Sequence, residues 1–331
     1  MTTKMTHRER VFAALKGQRV DRTPVSMWRH FFASETSAEG LAGAMLRFQK
    51  EFDWDFMKVN PRASYHVEDW GVRTDYQGNN PPVISGLPIR HPDDWARIRP
   101  LDPSKGVLGE QLRALEIIGR GLKGEVPFLM TVFNPVSVAS RLVASEDIFL
   151  EHLRQHGDVL KPALTVITET LAKFSAACLE RGASGIFLAT TAWATTSRLT
   201  EQEYRDLVRP YDLALLSSLQ RAEFHVLHVC RNHNMMQALT DYPVHAFNWD
   251  CWGEGNPSLN QGKQFVPGKC VIGGVPHGKE LIDSQPMQLR EALSSLLVTM
   301  GRDGWMLGPG CTYGPGTPVE NVRVVRNIVP G

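Results

Sequence analysis

Along the 331 residues, short apolar runs alternate with longer stretches whose apolar positions recur at helical spacing. Eight runs have the length and the β-branched or aromatic content of buried strands: 24–28, 56–59, 128–133, 185–190, 224–230, 245–249, 271–275 and 305–307. Between them lie helical candidates at 145–155, 161–181, 200–220 and 285–302. The third opens on Thr200-Glu201-Gln202-Glu203, a capping-box pattern, and the fourth begins just before Pro286. Eight strands alternating with helices predict a (β/α)8 TIM barrel occupying 1–331 as a single domain, with a doubly wound open sheet as the alternative. Stretch 69–102 is rich in Pro, Gly and Asn, and predicts an irregular excursion after the second strand with a hairpin of its own. There is no internal repeat, heptad run, low-complexity segment or clean second-domain boundary.

Charge narrows the partners. Thirty-six Lys and Arg against 35 Asp and Glu leave a net +1, which gives no electrostatic case for nucleic acid or an anionic membrane. No apolar run reaches the roughly 18 residues of a membrane-spanning helix. The first ten residues are polar and lack the apolar core of a signal peptide, so a cytoplasmic location is the expectation. Five cysteines, an odd number in a large chain, argue against a disulfide framework. Cys178 falls in a helical pattern and Cys270 just before a strand, and both read as core fillers.

Cys230, Cys251 and Cys311 have a chemical reading. His228 and Cys230 close run 224–230, and Cys311 follows run 305–307 in Gly308-Pro309-Gly310-Cys311. One imidazole and two thiolates suit zinc, and three ligands leave a fourth position for substrate, as a catalytic site requires. His233 is an alternative ligand. The glycine-rich loop lacks the Gly-Lys-Ser/Thr of a phosphate loop and is read as the carrier of Cys311. A barrel builds its active site at the carboxyl ends of its strands. Arg29, Asn60, Arg62, Asn134, Thr190, Thr191, Asn248, Asp250 and His277 collect there. Asp250 and Asn248 are the candidate catalytic residues, Asp250 as ligand, ligand-orienting group or general base. Trp28, Phe31, Trp193 and Trp249, with Trp252 beyond, offer an apolar wall, and Arg29 and Asn60 join them as candidate substrate-binding residues. Arg29, Arg62, Arg141 and Arg198 could together bind a polyanion.

Arg10-Val11-Phe12-Ala13-Ala14-Leu15-Lys16-Gly17 with Val20-Asp21-Arg22-Thr23-Pro24-Val25 resembles the opening of the uroporphyrinogen decarboxylase superfamily. Leu199-Thr200, Tyr204, Pro210-Tyr211, Gly308-Pro309-Gly310-Cys311 and Thr317-Pro318-Val319-Glu320-Asn321-Val322 extend the likeness over essentially the whole chain. The resemblance implies a (β/α)8 barrel and offers two chemistries. Decarboxylases carry an Arg-x-Ala-Gly-Arg motif, an aspartate after the second strand and a Gly-His-Gly ending. Here stand Arg29-His30-Phe31-Phe32-Ala33, Asn60-Pro61-Arg62-Ala63-Ser64-Tyr65 and Gly310-Cys311. The other branch holds methylcobamide:thiol methyltransferases and related demethylases with a His-x-Cys…Cys zinc motif, which His228, Cys230 and Cys311 match.

The resemblance therefore implies a zinc methyltransferase moving a methyl group between a corrinoid (cobalamin) and a small molecule. That molecule is a methoxylated compound being O-demethylated or a thiol acceptor, and the apolar wall favours the former. No Asp-x-His-x-x-Gly corrinoid motif occurs, so the cobalamin is expected on a separate corrinoid protein. A homodimer is allowed by the sequence but not specified by it. The alternatives are a uroporphyrinogen-type decarboxylase and a non-catalytic barrel that holds zinc or docks a corrinoid.

Overall fold

A computed structural model describes residues 4–329 as an α/β fold. Nine strands form among the described residues: β1 (Met57–Val59), β2 (Arg73–Gln77), β3 (Asn80–Gly86), β4 (Phe128–Phe133), β5 (Gly185–Ala189), β6 (Val226–Val229), β7 (Ala246–Trp249), β8 (Cys270–Val275) and β9 (Trp305–Pro309). β2 and β3 pair as an isolated antiparallel hairpin, the one expected inside 69–102. The other seven make one curled parallel sheet in the order β1-β4-β5-β6-β7-β8-β9.

Run 24–28 departs from expectation, so the predicted eight-strand ladder has seven members. The run contributes a single parallel bridge, Val25 to Leu307. It is still anchored on two sides. Toward β9, Ser26 N–H donates to the Leu307 carbonyl at 3.0 Å and Leu307 N–H to the Pro24 carbonyl at 2.8 Å. Toward β1, Asp55 N–H donates to the Val25 carbonyl at 2.9 Å and Ser26 Oγ to the Phe56 carbonyl at 2.7 Å. Pro24 has no N–H to add to a ladder. The Val25 N–H goes instead to the Asp55 carboxylate, at 2.8 Å.

The predicted helix 200–220 is two helices, Glu201–Leu207 and Arg209–Ser217, because Pro210 cannot continue the first one's hydrogen bonding. Ser145 and Thr200 cap their helices through side-chain oxygens, and the Thr200 capping box forms as read.

Strand alternation separates two apolar layers. One, between the sheet and its helices, is by far the larger and takes in Val59, Met130, Val132, Leu227, Val229, Trp249 and Leu307. The other lies inside the curl and contains Phe56, Leu129, Phe187, Val226, Ala246, Ile272 and Met306. Helix His7–Leu15 adds Val11, Ala14 and Leu15 to this inner layer. Inner-face positions nearer the carboxyl ends switch from apolar to chemical: Lys58 and Asn60 after Phe56, His228 after Val226, and Asn248 after Ala246. No described helix is long and apolar enough to cross a membrane.

Candidate functional site

His228 and Cys230 are two residues apart at the end of β6, so a strand's period of two turns both inward. Cys311 reaches them from β9. The ligand atoms of the three all lie within 4.8 Å of one another. The loop carrying Cys311 depends on a missing side chain. A Cβ on Gly310 would sit 2.7 Å from Asp250 Cα, a backbone approach that only glycine tolerates. Gly310 N–H then donates to the Val275 carbonyl at 3.0 Å, fixing the loop on β8. The two half-buried thiols influence each other's protonation. Their mutual contact holds Cys311 well below the ordinary thiol range and pushes Cys230 well above it. All five cysteines are free, and Cys178 and Cys270 are buried as expected. Cys251 is half-buried outside the ligand trio.

Asn248 fixes the imidazole. Its Nδ2 donates to the carbonyls of Ile272 at 2.9 Å and Pro309 at 3.1 Å, which can only accept. Its Oδ1 is therefore the atom 2.6 Å from His228 Nδ1, and that nitrogen carries the proton. The lone pair is left on Nε2, a buried atom with no hydrogen-bond partner. A buried polar atom without a partner is costly unless something fills the place. Two thiols and a neutral imidazole, with the imidazole's other nitrogen already oriented, are a donor set suited to zinc.

Behind the trio lies a chamber of about 130 Å³. Trp28, Phe133 and Phe187 supply its rings, and Phe187 stacks on His228 with centroids 5.2 Å apart. The chamber also contains a residue that sequence reasoning passed over, Lys58. It is 4% exposed, its Nζ donates to Asn60 Oδ1 at 2.9 Å, and it stands 4.8 Å from the Phe187 ring centroid. Burial pulls its pKa down to about 7, against the opposing pull of Cys311. The signal was present: a lone cation in run 56–59, on the same strand face as Asn60. Outside the trio lies a wider basin of about 690 Å³, lined by Arg141, Arg198, Arg231, Asp250 and His277 among others. Cys230, Cys311, Thr191 and Thr312 border both spaces. Thr191 holds φ +47°, a strained conformation for a β-branched residue, with its Oγ1 2.6 Å from Ser137 Oγ.

The structure brings together some expected residues and separates others. Trp28 and Asn60 line the chamber. Trp249 does not, because it follows inward Asn248 and so faces out, onto Gly262, with its Nε1 donating to the Pro257 carbonyl. Trp193 is buried against Phe149, ring centroids 5.0 Å apart, and donates to Ser140 Oγ. Phe31 packs on Phe48, and Arg29 lays its guanidinium near Phe31 and Tyr313. Asp250 stands outside the trio, with His277 Nδ1 3.9 Å from its carboxylate. His233 faces Glu254, not the thiols. The four arginines do not converge as a free set. Arg62 is forked on Glu68, and Arg198 is paired with Glu146 and Asp147.

Comparisons with known proteins bear on the family and the fold. The methylcobamide:CoM methyltransferase MtaA of Methanosarcina barkeri is 22% identical, and the match covers 98% of this chain and 97% of that protein. A uroporphyrinogen decarboxylase of Solibacter usitatus is 26% identical, over 80% of this chain and 75% of its own. A solved methyltransferase from Methanosarcina mazei shares the fold with a TM-score of 0.81 at 22% identity, covering 98% of each chain. Residues 6–330 match the uroporphyrinogen decarboxylase (URO-D) family. With that match running almost from end to end, the chain belongs to the URO-D family.

Proposed function

We propose that this protein is a zinc-dependent methyltransferase that moves a methyl group between a corrinoid and a small substrate seated in the inner chamber. On this reading run 24–28 counts as an eighth stave, closing the sheet into a single-domain (β/α)8 barrel. The observation that carries the proposal is the buried, partnerless Nε2 of His228 facing two thiols. His228, Cys230 and Cys311 would hold the metal. Zinc there supplies Lewis acidity toward the sulfur or oxygen that exchanges the methyl group.

The remaining work falls to the chain's own residues. Asn248 keeps His228 in the tautomer that presents a lone pair. Trp28, Phe133 and Phe187 exclude water from the substrate's apolar part. A chamber of about 130 Å³ is close to the roughly 150 Å³ cavity that accepts benzene, so it suits one ring or a short chain and not a tetrapyrrole. That size, and the ion pairs already holding Arg62 and Arg198, weigh against the decarboxylase reading. The wider basin suits the approach of a corrinoid carried by a separate protein. We favour a methoxylated substrate because the chamber wall carries three aromatic rings. The thiol reading draws support from relatives whose names specify CoM and methylated thiols.

The test begins with metal analysis of the wild type, Cys230→Ser and Cys311→Ser. One zinc per chain is expected in the wild type, with strong loss in both variants and folding retained. Equal zinc in all three would remove the assigned ligands. Absorbance of methylcobalamin then follows turnover with methoxyaromatics and thiols. A thiol must shed a proton to bind a metal, whereas an ether has none to shed. Calorimetry in buffers of different ionisation enthalpy therefore separates the two readings.

A further inference from the structure

Among the described residues Lys58 is the one lysine or arginine in the chamber wall, and its place there has no structural explanation. Strand alternation sends Phe56, Lys58 and Asn60 to the inner face of the sheet, and this puts an ammonium where an apolar residue would pack at no electrostatic cost. The ammonium has three N–H donors, and one is used, on Asn60 Oδ1. Two rings also face it, Phe187 at 4.8 Å and Trp28 at 5.8 Å, and the Cys311 sulfur in the same wall is the one group near enough to favour its charged form. No carboxylate lines the chamber among the described residues. The carboxylate behind the wall, Glu35, is occupied by His30 Nδ1 at 3.0 Å and the backbone N–H groups of Ala63 and Phe31.

Charge counting then points to the substrate. The inference rests on the proposed zinc site: a divalent ion with two thiolates and a neutral imidazole carries no net charge. Lys58 adds one positive charge when protonated, the form a bound anion favours, in a closed space with donors to spare, while His30 in the same wall is already paired with Glu35. A buried charge is retained at a cost to stability when function requires it. We propose that Lys58 is a substrate-binding residue that makes the chamber selective for a small monoanion, holding a negatively charged oxygen or sulfur beside the metal ligands. Asn60 positions the ammonium, and the Trp28 and Phe187 faces keep it from folding back against the wall.

The experiment uses the zinc-loaded wild type, Lys58→Met and Lys58→Arg, with benzoate and benzyl alcohol as probes of similar shape and different charge. Zinc stoichiometry, melting temperature and the two dissociation constants are measured for each. The wild type should bind benzoate at least about tenfold more tightly than benzyl alcohol, as a charge-assisted hydrogen bond implies. Lys58→Met should lose that preference, keep its zinc and melt no lower than the wild type, since an apolar isostere relieves a buried charge. Lys58→Arg should retain a preference. A Lys58→Met variant that still prefers benzoate would overturn the proposal, because the metal would then be the anion's partner. A lower melting point with unchanged preference would make Lys58 structural. No preference in the wild type would also overturn it. Absence of zinc from all three proteins would count against the metal site, while the benzoate preference would still decide the role of Lys58.

Discussion

Both N–H groups of the Asn248 amide are spent on backbone carbonyls of β8 and β9, so its oxygen is what remains for His228. With zinc on His228, as proposed, the side chain would act as a positioning residue, where its strand-end place suggested a catalytic one. Asn248→Ala should leave the fold intact and lower zinc affinity by about 10- to 100-fold, the usual effect of losing a ligand's orienting partner. Competition against a chromophoric chelator measures this, and unchanged affinity would show that the imidazole needs no such partner. Lys58 teaches the complementary lesson. Its presence in an apolar run was readable, but whether it faced a chamber or snorkelled to solvent depended on which face of the strand turned inward.

At the level of elements, the sheet delivers His228 and Cys230, and a loop delivers Cys311. Gly310 is the point where that loop passes against Asp250, with no room for a Cβ. Gly310→Ala should therefore cost about 1 to 3 kcal/mol, as overpacking against fixed backbone does. It should also weaken zinc binding, because the displaced loop carries Cys311, a ligand in the proposed site. Gly314→Ala, where an added Cβ meets nothing within 4 Å, is the control and should change neither. Thermal melts and metal titrations on the pair decide the matter; equal behaviour would mean that the loop relaxes freely. The helix break at Pro210 and the hairpin β2–β3 follow from local chemistry in the same way.

Across the whole molecule, the ends of the sheet are joined by buried charge. Asp55 bonds Arg10 Nη1 at 2.7 Å, Arg22 Nη1 at 2.5 Å, His7 Nδ1 at 3.0 Å and the Val25 backbone at 2.8 Å. This is the work done by much of the family-like opening: Arg10 and Arg22 pin run 24–28 between β9 and β1. Burial alone would raise the Asp55 pKa, but the His7 hydrogen bond and the Arg22 charge outweigh it and hold the value at about 2, below the ordinary 3.8. A carboxylate depressed in the folded state contributes stability above its unfolded pKa and loses it as pH falls toward the folded one. Stability should thus decline between pH 4 and 2 from this group, and Asp21, held lower still by Arg10, extends the decline. Asp55→Asn should cost about 3 to 5 kcal/mol near neutral pH, by leaving buried arginines without their partner, and should flatten the acid limb. Urea unfolding at stepped pH measures both, and an unaltered acid limb would assign it elsewhere.

The sequence by itself determined seven of the eight expected strands and several of the helices, because apolar periodicity and caps act within a few residues. It also determined that His228 and Cys230 share a face, since residues at spacing two on a strand do so wherever the strand goes, whereas Cys311 joins them only in the folded chain. Spacing could not decide what stood around them. Trp249 and Asn248 are neighbours in the chain, yet one packs outside the sheet and the other holds His228, because alternation assigns opposite faces and only register says which is inner. Trp193 looked like wall and became core against Phe149, a partner 44 positions away. The chamber, the buried Lys58 and the replacement of a first ladder strand by the Asp55 carboxylate are products of long-range packing. Their parts are in the sequence, but the distances that give them meaning exist only once the sheet has curled.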